Sequence, residues 1–142
     1  MSPITRSPRL VGRPLSAAAV VVAAALLATL VAREVAAANA YLRIEHALPT
    51  YDGSMGAVFL AGATALVVLA GLAALVDAGV LPALSLAAAP VFGWAVNHYA
   101  VPVAPHYAVT YPVEVALLYG VAFGTVGYLV GRGFRHGIAA AR

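Results

Sequence analysis

Four apolar runs, each long enough to cross a bilayer, constrain this chain more than any other feature. A hydrocarbon core is about 30 Å thick and an α-helix rises about 1.5 Å per residue, so a span needs roughly 20 apolar residues. The runs lie at about 15–38, 55–76, 81–101 and 113–131. They are continuously apolar and do not alternate with period two, which predicts helices and not a transmembrane barrel. The expected fold class is therefore all-α: an integral membrane four-helix bundle over 15–131, with basic tails at 1–14 and 132–142.

Composition excludes most alternatives. Of 142 residues, 63% are hydrophobic and 9% are charged, whereas a soluble domain is nearer half apolar and a quarter charged. The net charge of +3 is then a matter of membrane orientation, and no nucleic-acid partner is expected. There is no cysteine, which removes disulfides, thiolate metal sites and cysteine nucleophiles. The chain has no lysine, no Walker A loop, no GxSxG, no HExxH and no paired intramembrane aspartate.

The arginines give the orientation. Arg6, Arg9 and Arg13 precede the first run, and Arg132, Arg135 and Arg142 follow the fourth. An even number of spans puts both termini on one side. The other side holds Arg33 and Arg43, but also Glu34, Glu45, Asp52 and Glu114. Because cytoplasmic loops carry the excess of basic residues, both termini are expected to be cytoplasmic, in a multi-pass protein of the cell membrane. A rival reading takes the first run as a signal peptide cleaved after Ala38-Asn39-Ala40, leaving three spans. The retained span is favoured: the run exceeds the usual ~7–15 apolar residues of a signal, and Arg33-Glu34 separates it from the site.

Between the runs, Tyr51-Asp52-Gly53-Ser54 predicts a turn with Ser54 as helix N-cap, and Asp77-Ala78-Gly79 a tight turn with Pro82 in the first turn of the next helix. Pro90 predicts a kink inside the third span. Pro102, Pro105 and Pro112 predict an irregular segment before the fourth. The stretch from Val35 to Leu48 either extends the first helix or lies along the outer surface.

The sharpest pattern is a stripe of Gly120, Gly124, Gly127 and Gly131, two GxxxG units on one helix face. Glycine lets another backbone approach closely, and packing of this kind drives helix association in lipid. The spacing alone does not say whether the contact is internal or with another subunit; the internal one is favoured. Alanines at 57, 61 and 65 and at 70, 74 and 78 repeat the spacing more weakly, as expected from an alanine-rich background.

Ionisable groups at membrane depth are functional candidates by default. Glu34, His98 and Glu114 are the candidates for an ion or proton site, all near the outer interface. Glu114 also fits helix capping, with Tyr111 as N-cap and Pro112 as the first helical residue, and shares a helix face with Leu118, Val121, Thr125 and Tyr128. His106, Tyr107 and Tyr111 are candidates for an external contact or an aromatic interface belt. Trp94 is expected in the core. His98 and His106 are separated by prolines and lack further ligands, so no metal and no cofactor are expected.

The length and four-span plan resemble those of many small prokaryotic membrane proteins. They are also similar to those of small multidrug transporters, which carry a carboxylate in the first span; here Glu34 stands at the end of that span beside Arg33. No functional residue carries over from either group. The expected function is that of a non-catalytic structural or accessory subunit, in contact with the lipid bilayer, as a homo-oligomer or with a membrane-protein partner. The alternatives are a transporter or channel with Glu34, His98 and Glu114 as a titratable vestibule, and a membrane-embedded enzyme or haem protein.

Overall fold

A computed structural model describes residues 10–49, 55–100 and 105–141, with the side chains of 99, 100 and 105–109 outside that description. Helix α1 spans Pro14–Ala37, the short α2 Tyr41–Glu45, α3 Ala57–Leu75, α4 Val80–Ala95 and α5 Pro105–Ala140; a 3-10 turn, Val96–Ala100, continues α4. Among the described residues there is no strand. Helices α1 and α3, α4 with its 3-10 continuation, and α5 are each long and apolar enough to cross a membrane.

The helix ends follow from local chemistry. Pro14 opens α1, where its missing N–H costs nothing. Helices α1 and α3 close with the same motif. Asn39 (φ 48°) and Asp77 (φ 59°) take the left-handed conformation, which short polar side chains tolerate. The Ala40 N–H then reaches the Val35 carbonyl at 2.9 Å and the Asn39 N–H the Ala36 carbonyl at 3.1 Å. After α3, the Ala78 N–H reaches Ala73 at 3.1 Å and the Asp77 N–H reaches Ala74 at 3.2 Å. Both are Schellman closures, which satisfy carbonyls that a helix end leaves orphaned. Gly79, at φ 95°, then turns the chain into α4 with Pro82 in its first turn, as the sequence suggests.

Two expectations are corrected. From Pro105 on, the segment before the fourth span is helical and not irregular: α5 starts there and runs 36 residues with Pro112 inside it. Proline fits the first turn of a helix, and apolar helices tolerate an internal proline when neighbours compensate. Glu114 is consequently well inside the helix, and its expected capping position does not exist. Of the two readings of Val35 to Leu48, the structure does not take the extended helix: α1 stops at Ala37 and the chain continues as the short α2. The Tyr51–Ser54 turn with its Ser54 cap, and Pro102, lie outside the described residues.

Helix α4 is central, packing on α1, α3 and α5, while α3 and α5 also pack closely on each other. Helix α1 rests chiefly on α4. The main core is built from small residues: Ala70, Ala73, Ala74, Ala78, Ala83 and Ala87 are almost wholly buried, with Leu66, Leu86 and Tyr128 around them. Ala70, Ala74 and Ala78 therefore form a packing face, whereas Ala57, Ala61 and Ala65 are exposed.

The glycine stripe supplies the rest of this core. A Cβ at Gly120 would stand 2.6 Å from the Ala88 Cβ, and one at Gly124 would stand 2.8 Å from the Leu84 side chain, both on α4. A Cβ at Gly127 would run into the Val67 carbonyl, and one at Gly131 into the Gly71 carbonyl, both on α3. The upper half of the stripe thus meets α4 and the lower half α3. Gly93, a lone glycine in α4, plays the same part toward α1, against the Ala28 carbonyl and Val31.

Candidate functional site

The two ends of the bundle differ in construction. At the end holding the N- and C-terminal segments, residues 10–13 lie across the α3–α4 turn. The Gly12 N–H donates to Ala78 (2.9 Å), the Arg13 N–H donates to Asp77 (2.9 Å), and the Leu81 N–H donates to Leu10 (3.1 Å). The last of these satisfies one of the amides that a helix N-terminus leaves without an internal partner. The strap passes so close that a Cβ at Gly12 would collide with the Asp77 carbonyl. Arg135 of α5 closes the end with an ion pair to Asp77 at 2.7 Å.

At the opposite end, α2 is held by aromatic side chains. Tyr41 is buried and stacks on Trp94, with centroids 5.3 Å apart and planes 11° from parallel. The Trp94 Nε1–H donates to the Tyr41 carbonyl at 3.2 Å. Burial, then the interaction with the Tyr111 side chain of α5, pushes the Tyr41 pKa well above the usual phenol range. The His98 ring lies 4.9 Å from the Tyr111 ring, and its Nδ1 sits 2.9 Å from the Ala95 carbonyl. Asn97 ties α4 to α1, donating to the Ala32 carbonyl at 3.2 Å and to Gly93 of its own helix at 3.0 Å. Trp94 is therefore buried as expected, but in this cap and not among the alanines.

The candidate ion or proton residues are not gathered into one site. His98 is buried beneath Tyr111, while Glu34 at the end of α1 and Glu114 on α5 are exposed. Among the described residues no hydrogen bond or ion pair joins any two of the three. The line through Glu114, Leu118, Val121 and Thr125 faces away from the bundle, and only Tyr128 at its end is buried. Tyr111 is half-buried in the cap, so it belongs to the helix packing; the side chains of His106 and Tyr107 lie outside the described residues. No group of three His, Cys, Asp or Glu is placed to hold a metal among the described residues.

What the bundle does contain is a cleft of about 530 Å³ between α1 and α3. Leu27 and Val31 form its α1 wall; Phe59, Gly62, Ala63 and Leu66 form its α3 wall. Pro90, Val91 and Trp94 of α4 make the floor, with Tyr119 and Phe123 of α5 behind. Ile44, Ala47 and Leu48 lie over the α2 end. The lining is almost wholly hydrocarbon. Three rings stiffen it: Phe59 meets Phe123 edge-on at 6.1 Å and Tyr119 at 6.5 Å, and Tyr119 stacks on Phe123 at 6.0 Å. The cleft exists because α1 and α3 both lean on α4 but hardly on each other.

Apart from Trp94, expected in the core, sequence analysis does not single out these residues. Phe59, Tyr119 and Phe123 come from two helices far apart in the chain, and Tyr41 and Trp94 from segments 53 residues apart. The available signal is Gly93, a small residue alone inside an apolar run.

No curated protein and no solved structure matches the chain. A family model described as a domain of unknown function, DUF8071, matches residues 11–142, from the strap to the C-terminus, and the chain belongs to that family.

Proposed function

We propose that the chain is a multi-pass protein of the cell membrane, with both termini in the cytoplasm, serving as a non-catalytic structural or accessory subunit. The observation that carries this reading is the distribution of polarity. Large apolar side chains such as Leu26, Leu30, Leu72, Leu117, Leu118 and Leu129 are exposed along all of α1, α3 and α5, a surface that water does not favour and lipid does. The interior is alanine and glycine, with its ionisable residues near the two ends. Arg13, Arg132 and Arg135 fall at the strap end, which the positive-inside rule places in the cytoplasm.

The glycine stripe of α5 is spent on α4 and α3, so a partner subunit would meet another face. A transport reading draws no support from a specific polar path: Glu34 and Glu114 face outward and the cleft is apolar.

The sequence has no cysteine, so single-cysteine variants report topology without background. A cysteine at Ser54 is expected to react with an impermeant maleimide on intact cells, and one at Ala139 only after permeabilisation. The reverse pattern overturns the orientation. The subunit reading is tested by cross-linking in native membranes: a discrete larger species supports it, and a lone monomer there and in mild detergent overturns it.

A further inference from the structure

The cleft between α1 and α3 has no occupant from this chain, and its shape and chemistry restrict what can fill it. Its volume of about 530 Å³ falls within the roughly 300–1,000 Å³ of small-ligand sites. A second helix, about 10–12 Å across with its side chains, takes up well over the cleft's volume of about 530 Å³ along the same length of wall. A polar solute would lose its hydration without replacement, since almost nothing in the lining donates or accepts a hydrogen bond. The α3 wall runs from Val58 to Leu69, about 17 Å of helix at ~1.5 Å per residue, which is about half the thickness of a hydrocarbon core.

The rim carries one further feature. Ala38, the C-cap of α1, continues the face of Leu27 and Val31, given the 3.6-residue turn. The Arg43 guanidinium donates to the Ala38 carbonyl at 3.3 Å, next to Ile44 over the cleft. Arg43 is exposed and makes no ion pair among the described residues. An arginine with spare N–H donors, one residue along α2 from Ile44 of the lining, complements a phosphate joined to a hydrocarbon chain.

We propose that this cleft holds one acyl chain of an outer-leaflet phospholipid, with the phosphate at Arg43, as a lipid retained by the protein and not merely part of its annulus. The proposal rests on membrane residence and on the cytoplasmic placement of both termini, but not on the accessory-subunit role.

Trp94 is the sole tryptophan and forms the floor of the cleft, so it reports the occupant directly. The full chain is reconstituted into phosphatidylglycerol vesicles whose acyl chains are brominated near mid-chain, with flotation confirming insertion. Bromine at the cleft is expected to lower Trp94 emission by about twofold relative to unbrominated vesicles, as for a ligand largely enclosed by its site. Gly62→Leu and Ala63→Leu, which fill the slot, should remove most of that quenching while keeping the helical circular dichroism signal. Gly133→Leu, at an exposed glycine with open space around it, should leave it unchanged. Arg43→Gln should reduce the quenching by phosphatidylglycerol more than that by phosphatidylcholine.

Equal quenching in the wild type and both filled variants would assign the effect to annular lipid and overturn the proposal. Strong quenching by aqueous acrylamide would show a water-filled cleft and also overturn it. Absent quenching, with a Gly62→Cys variant forming disulfide dimers in membranes, would give the cleft to a second copy of the chain. Failure to float with the vesicles would count against membrane residence itself, which separates that failure from failure of the lipid site.

Discussion

Helix α3 has two halves built on opposite plans. In the second, Val67, Ala70, Gly71 and Ala74 lie against Gly127 and Gly131 of α5, where a methyl group on either α5 glycine would not fit. In the first, Phe59, Gly62, Ala63 and Leu66 border the open cleft. Each half contains a glycine, yet Gly71 has the Gly127 carbonyl 3.4 Å from where its Cβ would be and Gly62 has nothing within 4 Å. A small residue in a membrane helix therefore does not by itself make a contact. It makes one where the facing helix is also small. Where the facing residues are Phe, Tyr and Trp, the rings meet each other first and leave space beside them.

The comparison can be broken at the cap that joins the two plans. Trp94→Ala removes the floor of the cleft and the support of Tyr41 together. By analogy with large-to-small changes in cores, it should cost about 3 kcal/mol or more, seen as a lowered unfolding midpoint in detergent and a mobile α2. An unchanged midpoint would mean that the cap contributes little to the stability of the bundle.

Tyr41→Phe is a milder version, deleting the hydroxyl that interacts with Tyr111 and costing about 1 kcal/mol. The same hydroxyl gives a pH dependence with a definite sign. Burial and the Tyr111 side chain favour the neutral phenol, so the stability Tyr41 contributes is complete below the ordinary tyrosine pKa of about 10. It is lost as pH rises beyond that, toward the higher pKa of the folded state. Alkaline titration of the unfolding midpoint should show this fall in the wild type and a smaller one in Tyr41→Phe. Equal falls would remove Tyr41 from the account.

The smallest effect is expected at the other end. The Asp77–Arg135 pair is well exposed on both sides, and such pairs are worth about 0–1 kcal/mol. Asp77→Asn, which keeps a residue tolerant of the left-handed conformation, should move the midpoint only slightly. A large loss would show that the strap end, and not the aromatic cap, organises the bundle.

The sequence shows some of this and conceals the rest for identifiable reasons. Helix number, the Asp77–Gly79 turn and the retreat of charge to the ends follow from hydropathy and turn chemistry, which are local. The length of α5 does not, because Pro105 and Pro112 are read as breaks by a rule that assumes freed backbone groups go uncompensated. The glycine stripe is visible, but its division between α4 and α3 depends on the crossing of three helices. The cleft is the least visible of all. It arises where α1 and α3 fail to touch, and a missing contact leaves no periodic mark in either segment.

The most direct test of the central claim places one substitution in each of the two regions in turn. Gly127→Leu and Gly62→Leu are compared by unfolding midpoint in the same detergent. The account predicts that Gly127→Leu drives α3 and α5 apart, with a loss of about 3 kcal/mol or outright failure to fold, while Gly62→Leu stays close to the wild type. Equal losses in the two variants would contradict it.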